Sequence, residues 1–65
     1  MRVQVNGESM HLDDATTLKD ILARLEIPPR FIAVEHNGEI YDGEPEACSL
    51  SDGDRLEIVR FVGGG

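Results

Sequence analysis

The residues best placed to do chemistry are the last three, Gly63-Gly64-Gly65, which carry a carboxylate on a segment without side chains. A peptide α-carboxylate has a pKa of about 3.3–3.7 and is ionised at neutral pH. As an anion with a poor leaving group it resists nucleophiles, so it can carry a group only after activation. An acyl-adenylate made with ATP is the usual route, and sulfur or a thiol can then attack it. Glycine has no Cβ to clash in a narrow channel and visits φ/ψ regions closed to other residues. From Val62 the arm is four residues, a reach of at most roughly 13–14 Å, enough to enter another protein's active site. The chain has no Gly-rich phosphate loop with its lysine and no dinucleotide fingerprint, so it is expected to bind no cofactor, and ATP is expected to be used by a separate activating partner. The plain alternative is an idle glycine extension.

Such an arm needs a handle, and the rest of the chain supplies one small domain, residues 1–61, ahead of a flexible glycine tail, 62–65. With 65 residues, 40% of them hydrophobic, the chain can bury one sheet against one helix and little more. That leaves no room for a deep substrate pocket and argues for a protein acted on, rather than an enzyme. No apolar run is long enough to span a membrane, the start lacks a signal-peptide core, and the single cysteine, Cys48, fits a reducing compartment. A cytoplasmic location is expected. The net charge of −7, with scattered basic residues, disfavours nucleic acid. It favours solubility and encounter with a basic partner.

Val3 and Val5 alternate with Arg2 and Gln4, the pattern of a half-buried strand over Met1 to Val5. Asn6-Gly7 supplies a type I′ turn, and Glu8 to Leu12 returns with Met10 and Leu12 inward. Thr17 is placed to cap a helix, with Asp20 completing a capping box. Leu18, Ile21, Leu22 and Leu25 form one apolar stripe, which Pro28-Pro29 is expected to end. Phe31 to Glu35 reads as a third strand, Asn37-Gly38 as a second tight turn, and Glu39 to Tyr41 as a short edge strand. Asp42 to Leu50 is irregular with one helical turn near Glu46. Ser51 to Asp54 is a turn, and Arg55 to Phe61 is the last strand.

One helix with one stripe must cover one face of one sheet. The last strand, the most apolar, belongs at the centre, parallel to the first. The fold class is therefore α+β, a β-grasp (ubiquitin-like) with a mixed sheet of four to five strands. Leu56 and Ile58 then face the helix, while Glu57, Val59 and Phe61 lie on a face with no cover. Beside the tail, Val59 and Phe61, with Phe31 or Ala33, mark a docking patch. His11, His36 and Cys48 lack metal-ligand spacing, and both histidines are read as lying on solvated faces. Cys48 is read as a small, partly buried apolar residue.

Over its whole length the chain resembles the ThiS family of sulfur carriers. The resemblance rests on the Met1–Val5 strand with Asn6-Gly7, the Thr17-Leu18 helix start, and Ile32-Ala33-Val34 before Asn37-Gly38. Above all it rests on Leu50, Asp52-Gly53-Asp54, Leu56-Glu57-Ile58-Val59 and Phe61-Val62-Gly63-Gly64-Gly65. It implies that Gly65 is adenylated by a ThiF-type enzyme and becomes a thiocarboxylate, with sulfur from a donor such as a cysteine desulfurase. The thiocarboxylate would then serve thiazole synthase (ThiG) in thiamine synthesis. Gly63 and Gly64 would thread the partner's channel, Gly63 adding slack, while Phe61 and Val62 anchor the base of the arm, and Val59 of the exposed patch joins them in binding the partner. A carrier for molybdopterin or cysteine synthesis, a ubiquitin-like modifier and a plain interaction module remain the competing readings.

Overall fold

The computed structural model describes residues 1–61. Val62, Gly63, Gly64 and Gly65, and with them the expected tail of 62–65, lie outside the described residues. Five strands form one mixed sheet: β1 (Arg2–Val5), β2 (Glu8–His11), β3 (Ile32–His36), β4 (Glu39–Tyr41) and β5 (Arg55–Arg60), in the order β2-β1-β5-β3-β4. One helix, α1 (Leu18–Arg24), lies on one face, and a single 3-10 turn (Pro45–Ala47) packs beside it. The last strand is central and parallel to the first, as expected, and antiparallel to β3.

Each hairpin is closed by an Asn-Gly pair with both residues at positive φ: Asn6 and Gly7 at 51° and 84°, Asn37 and Gly38 at 54° and 85°. These values fit type I′ turns, whose twist matches that of the flanking strands. The alternation in β1 and β5 sends Val3, Val5, Leu56 and Ile58 to the helix side. There they meet Leu18, Ile21 and Leu22, together with Val34, Leu50 and Cys48. Leu18, Ile21, Leu56 and Val3 are essentially sealed from water, and burying an aliphatic side chain of this size stabilises the fold by about 1.5–3 kcal/mol.

Helix α1 starts where the sequence places it. The Thr17 backbone N–H donates to the Asp20 carboxylate at 2.9 Å, meeting one of the amide groups that the first turn leaves without an intrahelical partner. Its end differs from expectation. Pro28-Pro29 does not stop it; the chain turns earlier, in a Schellman motif. The Ile27 N–H bonds to the Leu22 carbonyl at 2.8 Å and the Glu26 N–H to that of Ala23 at 3.1 Å. Glu26 takes the left-handed position at φ 57°, where glycine is the usual residue. Because the helix stops at Arg24, Leu25 falls on the C-cap and leaves the apolar stripe, 40% exposed.

β3 also starts later than expected. Phe31 sits outside it at φ 60°, a left-handed conformation costly for a bulky residue, and the strand runs from Ile32. Tyr41, on the edge strand, donates its hydroxyl proton to the Glu44 carbonyl at 2.7 Å. A Cβ on Gly43 would come within 2.7 Å of that hydroxyl. The polar excursion is thereby folded tightly against β4.

Candidate functional site

β5 builds the site because a strand points successive side chains to opposite faces. Leu56 and Ile58 anchor it in the core, and Val59 and Phe61 therefore emerge on the other side, 54% and 59% exposed. Among the described residues nothing covers that face. Val59 lies opposite Ala33 in register. Phe61 closes the ladder by donating its backbone N–H to the Phe31 carbonyl at 2.7 Å, so the last described residue is still pinned to the sheet. Phe31 is 73% exposed. With Pro28, Arg30, Arg60 and Phe61 it lines a cleft at the root of the tail. The expected patch of Val59, Phe61, Phe31 and Ala33 is thus assembled on one end of the sheet. Val62, Gly63, Gly64 and Gly65, the remaining expected site residues, fall outside the described residues.

Two further features of this face escape the sequence. Ile40, on β4, is 79% exposed, and the β3–β4 register sets it opposite Glu35. Glu35 in turn lies opposite Glu57 on β5. The alternation in Glu39-Ile40-Tyr41 could have flagged Ile40, since Tyr41 turns inward. The pairing of Glu35 with Glu57 depends on a strand register between segments over twenty residues apart.

The tail-bearing strand is held from both sides by the turn asparagines. Asn6 Oδ1 accepts from the Ile58 N–H at 2.7 Å, and Asn6 Nδ2 donates to the Ile58 carbonyl at 3.3 Å. Asn37 Oδ1 accepts from the Arg55 N–H at 2.8 Å, while the Asn37 backbone N–H donates to the Arg55 carbonyl at 2.8 Å. Each asparagine acts as an extra rung, so β5 has partners along both edges beyond the short ladder with β1.

His36 and Cys48 correct the sequence reading. His36 is half-buried on the helix side, with Nε2 2.7 Å from the Asp54 carboxylate and Nδ1 4.0 Å from Cys48 Sγ. It does not lie on a solvated face. Partial burial pushes the Asp54 carboxyl upward, but hydrogen bonds from His36, the Ser51 amide and Asn37, with the attraction of His36, hold it below its ordinary value. Cys48 is fully rather than partly buried, at 3% exposure. Burial, and then the nearby Asp54 charge, raise its thiol pKa. A raised thiol pKa leaves little thiolate at neutral pH, so this Cys-His-Asp grouping is not an activated nucleophile. His11 stays exposed beside Arg2, as expected. Among the described residues no group of three or more His, Cys, Asp or Glu could hold a metal ion. Nor is any helix there long and apolar enough to cross a membrane.

Known proteins similar to this chain include sulfur carriers and thiazole synthases. The sulfur carrier protein ThiS of Bacillus subtilis is 38% identical over 65 residues, covering 97% of this chain and 98% of that one. A crystal structure of the thiamine biosynthesis protein ThiS from Geobacter metallireducens superposes with a TM-score of 0.78, at 32% identity and full coverage of both chains. Its fold is the same five-stranded mixed sheet with one helix, the ubiquitin-like β-grasp. A thiazole synthase from Paramagnetospirillum magneticum is 39% identical over 66 residues that take in all of this chain. The chain spans only 20% of the length of that synthase and of a second one from Magnetococcus marinus. The ThiS family model matches residues 3–65, the closing glycines included, and the chain therefore belongs to the ThiS family.

Proposed function

We propose that the chain is a sulfur carrier of thiamine biosynthesis whose working group is the Gly65 carboxylate. The observation that carries this reading is the course of β5. The central strand leaves the core at Ile58, exposes Val59 and Phe61 on an uncovered face, and leads directly into the glycine run. A partner seated on that face has the tail within reach of its active site. A ThiF-type enzyme would couple the carboxylate to AMP with release of pyrophosphate. Persulfide sulfur on a donor such as a cysteine desulfurase would then displace AMP to give an acyl disulfide, and a thiol reductant would cleave its S–S bond to leave the thiocarboxylate.

The chain is a co-substrate in this scheme, and the catalytic groups belong to its partners. Gly63 and Gly64 offer no side chain to block a narrow channel. Tethered sulfur reaches its acceptor at the effective concentration that docking supplies, without release of free sulfide. Thiazole synthases in which a segment like this one makes up a fifth of the chain support thiazole synthase as the acceptor. Because activation consumes ATP, the reading includes a cytoplasmic site of action.

The test is intact-mass analysis after incubation with a ThiF-type enzyme, ATP, a cysteine desulfurase with cysteine, and a thiol reductant. The expected product is heavier by the difference between sulfur and oxygen, and the change maps to Gly65. A protein that stays unmodified, while the Bacillus subtilis carrier is converted in a parallel system, would overturn the proposal.

A further inference from the structure

The uncovered face carries a defect that an isolated sheet would be better without. Glu35 and Glu57 lie directly opposite each other on the antiparallel strands β3 and β5. Residues so placed have Cβ atoms about 4.5–5.5 Å apart, and like charges in that position are destabilising. Neither glutamate has an ion-pair partner within 4 Å among the described residues. Arg55 lines the same cleft with Glu35, Glu57 and Gly38 but is in ion-pair contact with neither. Other carboxylates, such as Asp14, Asp42, Glu44 and Glu46, sit in loops or turns, outside any strand pairing. This pair is fixed in register by a ladder running from Ile32 to His36.

Its neighbours make the pair more unusual. Ile40 stands next to Glu35 across the β3–β4 ladder, and Ala33 and Val59 form the next rung on the same face. Two carboxylates are thus bordered on two sides by apolar side chains. Docking there removes water from both kinds of group at once.

We propose that Glu35 and Glu57 form a clamp for one cationic side chain, an arginine or lysine, on the enzyme that activates the tail. Ile40, Val59 and Phe61 seat against apolar residues around that cation. The inference rests on the carrier reading and names the chemistry of the surface that must recognise this face. An arginine fork satisfies two adjacent carboxylates at once, with short charge-assisted hydrogen bonds. Exclusion of water by the apolar rim strengthens the attraction. The overall charge of −7 steers such a partner in from a distance. A second copy of this chain fits poorly, because it would bring an identical acidic pair and the same net charge. A hard metal ion also fits poorly, because six or more oxygen ligands are typical for calcium and two carboxylates supply too few.

The experiment is ATP–pyrophosphate exchange by the activating enzyme, with the intact carrier as the varied substrate at two salt concentrations. The double variant E35Q/E57Q is compared with wild type and with E44Q/E46Q, whose two changes lie away from this sheet face. Either double variant removes two negative charges, so the net charge goes from −7 to −5. For E35Q/E57Q the expected result is a KM raised about tenfold with kcat unchanged and a flatter dependence on salt. Its urea midpoint should be equal to or above that of wild type, since the repulsion is gone. E44Q/E46Q should match wild type. Equal KM values for wild type and E35Q/E57Q, or an equal rise in the E44Q/E46Q variant, overturn the clamp alone. No exchange with the wild-type protein overturns the carrier reading, and the clamp with it.

Discussion

Asp54 accepts hydrogen bonds or contacts from His36, Asn37 and the Ser51 amide, which joins the β3–β4 turn to the start of the tail-bearing strand. Its carboxyl is held below the ordinary 3.8. A group whose folded pKa is depressed contributes stability above its unfolded pKa, and that contribution disappears as pH falls through the folded value. Acid titration from pH 5 downward should therefore show wild type losing an increment of stability below about 3.8 that Asp54→Ala never had. Urea midpoints of the two proteins should converge as pH drops, and parallel curves would disprove the role given to this carboxylate. The same residue bears on Cys48. Burial and the Asp54 charge both raise the thiol pKa, in keeping with Cys48 as a core side chain.

Helix α1 ends in a strained position. Its Schellman motif places Glu26 at φ 57°, a conformation that costs an L-residue about 1–2 kcal/mol. Glycine adopts it freely, although it loses more entropy on folding. Glu26→Gly should therefore stabilise the protein by about 0.5–1 kcal/mol, read as a higher urea midpoint with an unchanged slope. A destabilised variant would mean that the Glu26 side chain makes a contribution its exposed position does not suggest. Five residues further on, Phe31 holds a similar left-handed conformation without relief. Strain that persists in this way often marks a functional position, and this one sits beside Phe61 at the root of the tail.

At the scale of the whole molecule, the sheet divides the labour. The helix side is filled and fixes the fold, while the other side is left open with Ile40, Val59 and Phe61 exposed. Substitutions on the open side should separate folding from function. Phe61→Asp removes a side chain that is mostly solvated, so stability should change by no more than about 0.5 kcal/mol. Conversion of the tail to the thiocarboxylate should nevertheless be lost, because a partner would have to bury that charge against an apolar surface. Retained conversion with a stable Phe61→Asp protein would show that the patch is not a docking surface. The parallel placement of β5 beside β1 makes this separation possible. It puts the strand that bears the tail at the centre of the sheet, where both neighbours hold it rigid.

The order of elements, both Asn-Gly turns, the capping box and the inward set of Val3, Val5, Leu18, Ile21, Leu22, Leu56 and Ile58 were legible from local pattern, because period and turn chemistry are properties of neighbouring residues. So was the exposed pair Val59 and Phe61, once a single helix had to choose one face. Tertiary structure alone decided what depends on register and on contacts between distant segments. Glu35 meets Glu57, Asn6 reaches Ile58 across 52 positions, and His36 turns inward to Asp54. No local signal encodes these, since each is set by how the strands slide against one another when the core closes.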